Sequence, residues 1–235
     1  MTMQSIDANT LYFYEEIMLL SLREDDGKIE RKAQFEYQNL LAAALLAELA
    51  MLERVEITDK KKKTVSIIST SLIGDRLLDE ALEKIAKSKD KTATHWVMKF
   101  QGIRNLRGKA AESLVKRGIL AAEDGTAFFF FDKTYYPELN PRPEQQLIHR
   151  LEKTIFGSEQ EIDPRTLVLL ALLRKSELLK IPFDAKALKE RRHRMKEICE
   201  GDLIAEAAHQ AVESAQTAIF VAAVMPAVTT TVIAG

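Results

Sequence analysis

Apolar residues recur at helical spacing along most of the chain. Residues 11–22 place Leu11, Tyr14, Ile17, Met18 and Leu22 in phase, with Glu15 and Glu16 between them, which predicts a helix closed by an Asp25-Asp26-Gly27 turn. Residues 35–52 form a stronger pattern: Leu41, Leu45, Leu49 and Leu52 line one face, and Ala42, Ala43 and Ala44 leave a small-residue surface on which another element packs closely. A helix apolar on nearly every side is a buried one. The β-branched stretches 54–58 and 64–69 flank Asp59 and four lysines and read as a β-hairpin. Residues 76–86 are amphipathic through Leu77, Leu78, Ala81, Leu82 and Ile85, and 92–100 is a short helix carrying the only tryptophan, Trp96.

Further along, 103–120 reads as a two-arginine turn leading into a helix. Asp124-Gly125 is a hairpin turn signal, and Phe128, Phe129, Phe130 and Phe131 after it read as a buried strand. The last hundred residues are helical in pattern: 143–156 with Leu147, Ile148, Leu151 and Ile155 in phase, an Asp163-Pro164 start opening 167–173, a basic helix from Asp184 through Cys199, and a final one from Asp202. Residues 214–235 hold no charge and are either a core helix ending near Pro226 or a membrane-associated segment. These patterns predict a mainly α protein: one compact helical domain over 1–235, with a buried central helical bundle and one or two short β-hairpins. Residues 45–68 and 114–131 both run helix, basic residue, hairpin. A winged-helix nucleic-acid binder is therefore a competing architecture.

Composition narrows the function more than the fold. Of 235 residues, 46% are hydrophobic and 29% charged, with a net charge of −1, so the chain lacks the cationic surplus of a general polyanion binder and any anion site must be local. The lone Cys199 excludes an intramolecular disulfide, and the polar 1–10 segment has neither the basic start nor the apolar stretch of a signal peptide, which fits a cytoplasmic protein. Catalytic constellations are missing. His95, His149, His193 and His209 are scattered, no glycine-rich phosphate loop or Gly-x-Ser-x-Gly elbow occurs, and Glu15-Glu16 and Asp79-Glu80 read as solvated edges or capping charges. The sequence predicts no enzyme, no metal and no cofactor.

What remains is anion recognition. Arg104 and Arg107 are three apart at the start of a helix, where unpaired N–H groups and the positive dipole end favour phosphate. They read either as surface cations pairing with Glu112 or as a phosphate grip. The lysines 60–63 read as a solvated hairpin tip, and the basic helix as a solvated face or a surface laid against an acidic membrane.

Several of these stretches, taken in order, resemble the Golgi phosphoprotein 3 family, nearly end to end. Residues 11–22 resemble its opening helix, and 45–55 its Leu-Ile-Glu-Leu-Ala-Leu-Arg-Gly-Arg-Leu segment. Gly74-Asp75 with Leu77-Leu78-Asp79-Glu80-Ala81-Leu82 resembles its Thr-Gly-Asp and Leu-Leu-Asp-Glu-Ala-Leu signature, and Trp96 falls at its Trp-Ile pair. Arg104-Asn105-Leu106-Arg107, followed by 114–120, resembles its Arg-Asn-Val-Arg and Leu-Val-Glu-Lys-Gly-Val-Leu.

The resemblance implies a helical bundle and a role without a reaction. Eukaryotic members bind phosphatidylinositol 4-phosphate at the Golgi and retain glycosyltransferases by linking their tails to vesicle coats. Their lipid pocket uses a tryptophan, an arginine in the following helix, and both arginines of the turn. Arg104 and Arg107 match the last two; the other positions fall at Ala33 and Ala42, with Arg31 and Lys32 nearby to make up charge. The family's membrane-contact and self-association hairpin corresponds to about 127–137, with Phe128, Phe129, Phe130, Phe131, Tyr135 and Tyr136. Neither the family's long arginine-bearing N-terminal tail nor the insert before the two arginines is seen, which implies a bacterial-type member. The expected function is thus a peripheral membrane or adaptor protein on the cytosolic membrane face. Its expected partners are an anionic phospholipid or another phosphate-bearing ligand, protein clients, and a second copy through the Phe-rich hairpin. A protein-interaction module without lipid binding is the alternative, and the balanced charge disfavours nucleic acid.

Overall fold

A computed structural model of the chain describes residues 10–23, 26–59, 64–125, 133–158 and 162–200. Two antiparallel-running apolar helices start the architecture, α1 (Phe13–Ser21) and α2 (Tyr37–Met51). α2 is buried without a break from Leu40 to Ala50, because α1, α3 (Arg76–Ala86), α4 (Ala93–Gln101), α5 (Leu106–Lys116) and α7 (Pro164–Leu173) all pack against it. Ala42, Ala43, Ala44 and Ala47 make that crowding possible, since small side chains let neighbouring helices approach. The central buried helix expected from the sequence is α2. The chain is mainly helical, and its buried apolar residues form one cluster reaching from Leu11 to Cys199.

The first hairpin is present as β1 (Val55–Asp59) and β2 (Thr64–Ile67), antiparallel with Val55 opposite Ile67 and Ile57 opposite Val65. A two-residue strand, β3 (Lys91–Thr92), joins β2 and makes a three-stranded sheet of order β1-β2-β3. Too short to show a period, β3 is created by its partner strand. It runs directly into α4, whose first turn is capped by the Thr92 hydroxyl accepting from the His95 N–H at 3.2 Å. Asp75 caps α3 in the same way, accepting from Leu77 and Leu78 N–H at 3.1 and 2.8 Å.

The second hairpin departs from expectation. Asp124 and Gly125 lie in β4 (Glu123–Gly125), paired with β5 (Lys133–Tyr135) so that Asp124 faces Thr134 and Gly125 faces Lys133. The turn therefore comes after them, and the four phenylalanines and the lysines 60–63 lie outside the described residues, as does everything from 201 onward. α6 (Arg142–Phe156) follows, then α7, capped by Asp163 at Thr166 N–H (2.9 Å), then a 3₁₀ turn, Glu177–Lys180. The basic stretch after Asp184 is two helices rather than one, α8 (Ala185–Glu190) and α9 (Arg192–Glu200), broken at Arg191.

Glu15 and Glu16 are not a solvated edge. Both are buried, and because adjacent helical positions diverge, each reaches a different arginine. Glu15 accepts from Arg117 Nε at 2.9 Å, Ser113 Oγ at 2.7 Å and the Tyr12 N–H at 2.8 Å; Glu16 pairs with Arg150 on α6. Burial nevertheless dominates, and holds both carboxyls above their ordinary pKa despite the arginines. A raised carboxyl binds protons more readily folded than unfolded, so the stability it contributes is present at acid pH and declines as pH rises from about 4.5 through the folded value. Glu16→Gln is accordingly expected to flatten that decline, seen as urea midpoints of variant and native protein that converge toward acid pH and differ most at neutral pH.

Candidate functional site

The turn between α4 and α5 is anchored by two apolar residues three apart, Ile103 and Leu106, both buried. That spacing turns the next row outward, leaving Arg104 exposed and Arg107 half-buried at the start of α5. Asn105, between them, sits in the left-handed region (φ 53°, ψ 43°), which asparagine tolerates better than most residues. Its side chain folds over position 108, where a Cβ would come within 2.3 Å of Asn105 Nδ2, so Gly108 supplies the space. No side-chain hydrogen bond caps α5. Its first-turn N–H groups retain the affinity for an anion that a helix start carries.

The Arg107 guanidinium lies over the Tyr136 ring, 5.6 Å from its centroid. Its Nε is shielded from solvent and has no partner among the described residues. A guanidinium held over a ring face by this attraction does not spend its N–H donors on it, which suits it to a phosphate oxygen. Tyr136 is held in turn by the 26–30 loop: its N–H donates to the Gly27 carbonyl at 3.3 Å. Gly27 has φ +60°, and a Cβ there would meet the Tyr136 carbonyl carbon at 2.2 Å, so only glycine permits this approach. One residue on, Lys28 stands 4.9 Å over the Tyr135 ring and pairs with Asp26 at 2.7 Å. The two tyrosines of the second hairpin are thus platforms under two cations.

Glu112, one of the partners that a structural role for the arginines offers, the other being a neighbouring helix, faces Arg76 at 4.0 Å and Lys116 at 3.5 Å. Arg31 and Lys32 are exposed on the turn before α2. Lys32 Nζ donates to the Lys180 carbonyl at 3.1 Å, so Lys32 is docked on the 3₁₀ turn while Arg107 lies over Tyr136. Ala33 and Ala42, the positions of the missing pocket residues, are both 0% exposed and belong to the core. Phe35, expected at the start of the buried helix, precedes α2 and is 92% exposed. Sequence reasoning missed Lys28 and Gly27 as parts of this surface. The Asp-Asp-Gly turn was visible, but not its packing against a residue more than a hundred positions away.

Beside Tyr136 lies a shallow cleft lined by Leu19, Leu22, Arg23, Leu120, Glu138 and Glu144. Its two acids make it unsuited to phosphate. Among the described residues there is no cluster of three or more His, Cys, Asp or Glu that could hold a metal, and no helix long and apolar enough to cross a membrane.

Fold and site together define a mainly helical protein with a small cation-on-aromatic surface at the start of one helix. The Golgi phosphoprotein 3 (GPP34) family model matches residues 13–215, and the chain belongs to that family. It is also similar to the vacuolar protein sorting-associated protein 74 of Eremothecium gossypii, 26% identical over 175 residues, which cover 65% of this chain and 51% of that protein. The chain thus spans about half the length of this curated relative.

Proposed function

We propose that this chain is a non-enzymatic peripheral adaptor, a single domain that binds an anionic phospholipid headgroup through Arg104 and Arg107 on the cytosolic face of a membrane. The observation that carries the reading is Arg107, whose guanidinium lies over the Tyr136 ring and whose Nε has no hydrogen-bond partner among the described residues. The exposed Arg104 and the uncapped start of α5 add two further attractions for the same anion. Arg31 and Lys32 supply charge that Ala33 and Ala42 do not, and protein clients bind elsewhere on the domain. The Phe-rich hairpin, with Tyr135 and Tyr136 at its described end, serves membrane contact or self-association. Ala33 and Ala42 also favour the bacterial-type reading, in which the headgroup is not the family's usual one.

Flotation with phosphatidylcholine vesicles of rising phosphatidylserine content tests this. Binding is expected to rise with anionic content and to weaken at least about tenfold in Arg104→Ala/Arg107→Ala, since each charge-assisted hydrogen bond contributes roughly 1.5–3 kcal/mol. Binding that is lost on changing Arg104 and Arg107 but untouched by Arg31→Ala/Lys32→Ala would remove the second pair from the site. A protein-interaction module without lipid binding is the second reading, favoured by the burial of Ala33 and Ala42, and absence of binding to any vesicle would select it. The winged-helix reading loses one of its two candidate recognition helices: α2, the helix before the first hairpin, is buried from Leu40 to Ala50 and cannot enter a groove.

A further inference from the structure

The turn that carries Phe35 is built to hold that ring out in solvent. Ala33 is wholly buried and anchors it: the Ala33 N–H donates to the Glu30 carbonyl at 3.0 Å, and the Ala33 carbonyl accepts from Glu36 and Tyr37 N–H at 3.0 and 2.9 Å. Both sides of the turn are then pinned to the 3₁₀ segment. Lys32 Nζ donates to the Lys180 carbonyl at 3.1 Å, and the Glu36 carboxylate accepts from the Glu177 N–H. With its neighbour anchored inward and its flanks fastened, Phe35 projects at 92% exposure, the most exposed of the large apolar side chains among the described residues. A single exposed aromatic ordinarily needs no explanation. This one is presented on a braced turn, with little flexibility left to lose when the ring is buried.

Its surroundings indicate what buries it. Arg31, Lys32 and Gln34 are the other exposed residues of the turn. The turn's two acids are half-buried and engaged with backbone N–H groups, Glu30 at Arg31 N–H (2.9 Å) and Glu36 at Glu177 N–H. α8, which packs on the same 3₁₀ segment, is exposed at its cap Asp184 and at Glu190 as well as at Lys186 and Lys189, so the cationic excess lies on the turn itself. An apolar tip flanked by Arg31 and Lys32, on a turn whose own two acids are engaged, is complementary to an anionic bilayer, where the ring enters the acyl boundary and the ammonium and guanidinium groups stay among the headgroups. The loop leading into this turn is the one whose Gly27 seats Tyr136 beneath Arg107, so one chain segment links the tip to the proposed headgroup site.

We propose that Phe35 is a membrane-inserting wedge, with Arg31 and Lys32 as its headgroup contacts. This rests on the anionic-membrane reading given above and adds the element that penetrates the bilayer. The test uses vesicles of equal parts phosphatidylcholine and phosphatidylserine. Phe35→Ser, which removes no packed contact, is expected to bind roughly tenfold more weakly with an unchanged unfolding transition, the loss that follows from leaving most of an aromatic ring in water. Phe35→Trp, with its indole at the tip, is expected to be quenched by brominated acyl chains, whereas the buried Trp96 of the native chain is not. Phe35→Ser binding as tightly as the native protein, or Phe35→Trp unquenched while bound, overturns the wedge and leaves the Arg104 and Arg107 site standing; a protein contact would then be the use of Phe35. Native protein that binds no vesicle overturns both.

Discussion

Glu48→Ala is expected to destabilise the fold by about 3–5 kcal/mol, because it strands a largely buried guanidinium without its counter-ion. Glu48 is wholly buried in α2 and joins three parts of the molecule. Its two carboxylate oxygens accept from Arg165 Nη1 and Nη2 at 2.7 and 3.0 Å, and Oε2 also accepts from the Phe13 N–H at 2.7 Å. The second nitrogen of Arg165 reaches the Leu11 carbonyl at 2.9 Å, and the guanidinium lies 4.3 Å over the Phe13 ring. Burial pulls the Arg165 pKa down, yet the Glu48 carboxylate more than offsets it, and the net displacement is upward. Removing Glu48 therefore leaves three donors unsatisfied, two on Arg165 and one at the start of α1. Urea denaturation checks the magnitude. Glu48→Leu combined with Arg165→Met should recover much of the loss, since replacing both members of a buried pair by apolar groups removes the stranded charge. A Glu48→Ala midpoint equal to that of the native protein would mean that Arg165 is satisfied by solvent.

Ala42→Arg is expected to cost at least about 3 kcal/mol, through overpacking together with burial of an unpaired charge. The substitution places an arginine at the position to which the family resemblance assigns one. In this chain Ala42 is 0% exposed within the continuously buried stretch of α2, where a guanidinium has no route to solvent. Ala42→Arg should therefore lower the thermal midpoint and add no affinity for anionic vesicles, whereas Ala42→Ser, close in volume, should fall much nearer the native protein. An Ala42→Arg protein as stable as the native one, with tighter binding, would show that this position reaches the headgroup site and that one residue completes it.

These two predictions mark different kinds of legibility. The elements were readable wherever the pattern was long and local. α3 spans the predicted 76–86, Asp163 caps α7 as its Asp-Pro signal indicated, and the apolar wrap of α2 announced its burial. Short or partner-made features were not readable: β3 exists only because β2 accepts it, and Asp124-Gly125 fits a turn chemically but is drawn into a strand by β5. Phe35 looked like the first residue of a core helix because hydrophobicity carries no sign of direction.

The two arginines of the α4–α5 turn were visible from spacing and helix position alone. The sequence by itself determined a helical, buried-core protein with a local rather than global cationic feature. Those properties depend on period and composition, which are local quantities. Only the tertiary structure decided that Arg107 rests on Tyr136, that Glu15, Glu16 and Glu48 are buried opposite Arg117, Arg150 and Arg165, and that Phe35 faces outward. Each of those facts is set by what packs against the residue. A glutamate costs little at a solvated edge and several kcal/mol when buried unpaired, and which of the two applies depends on partners far away in the chain.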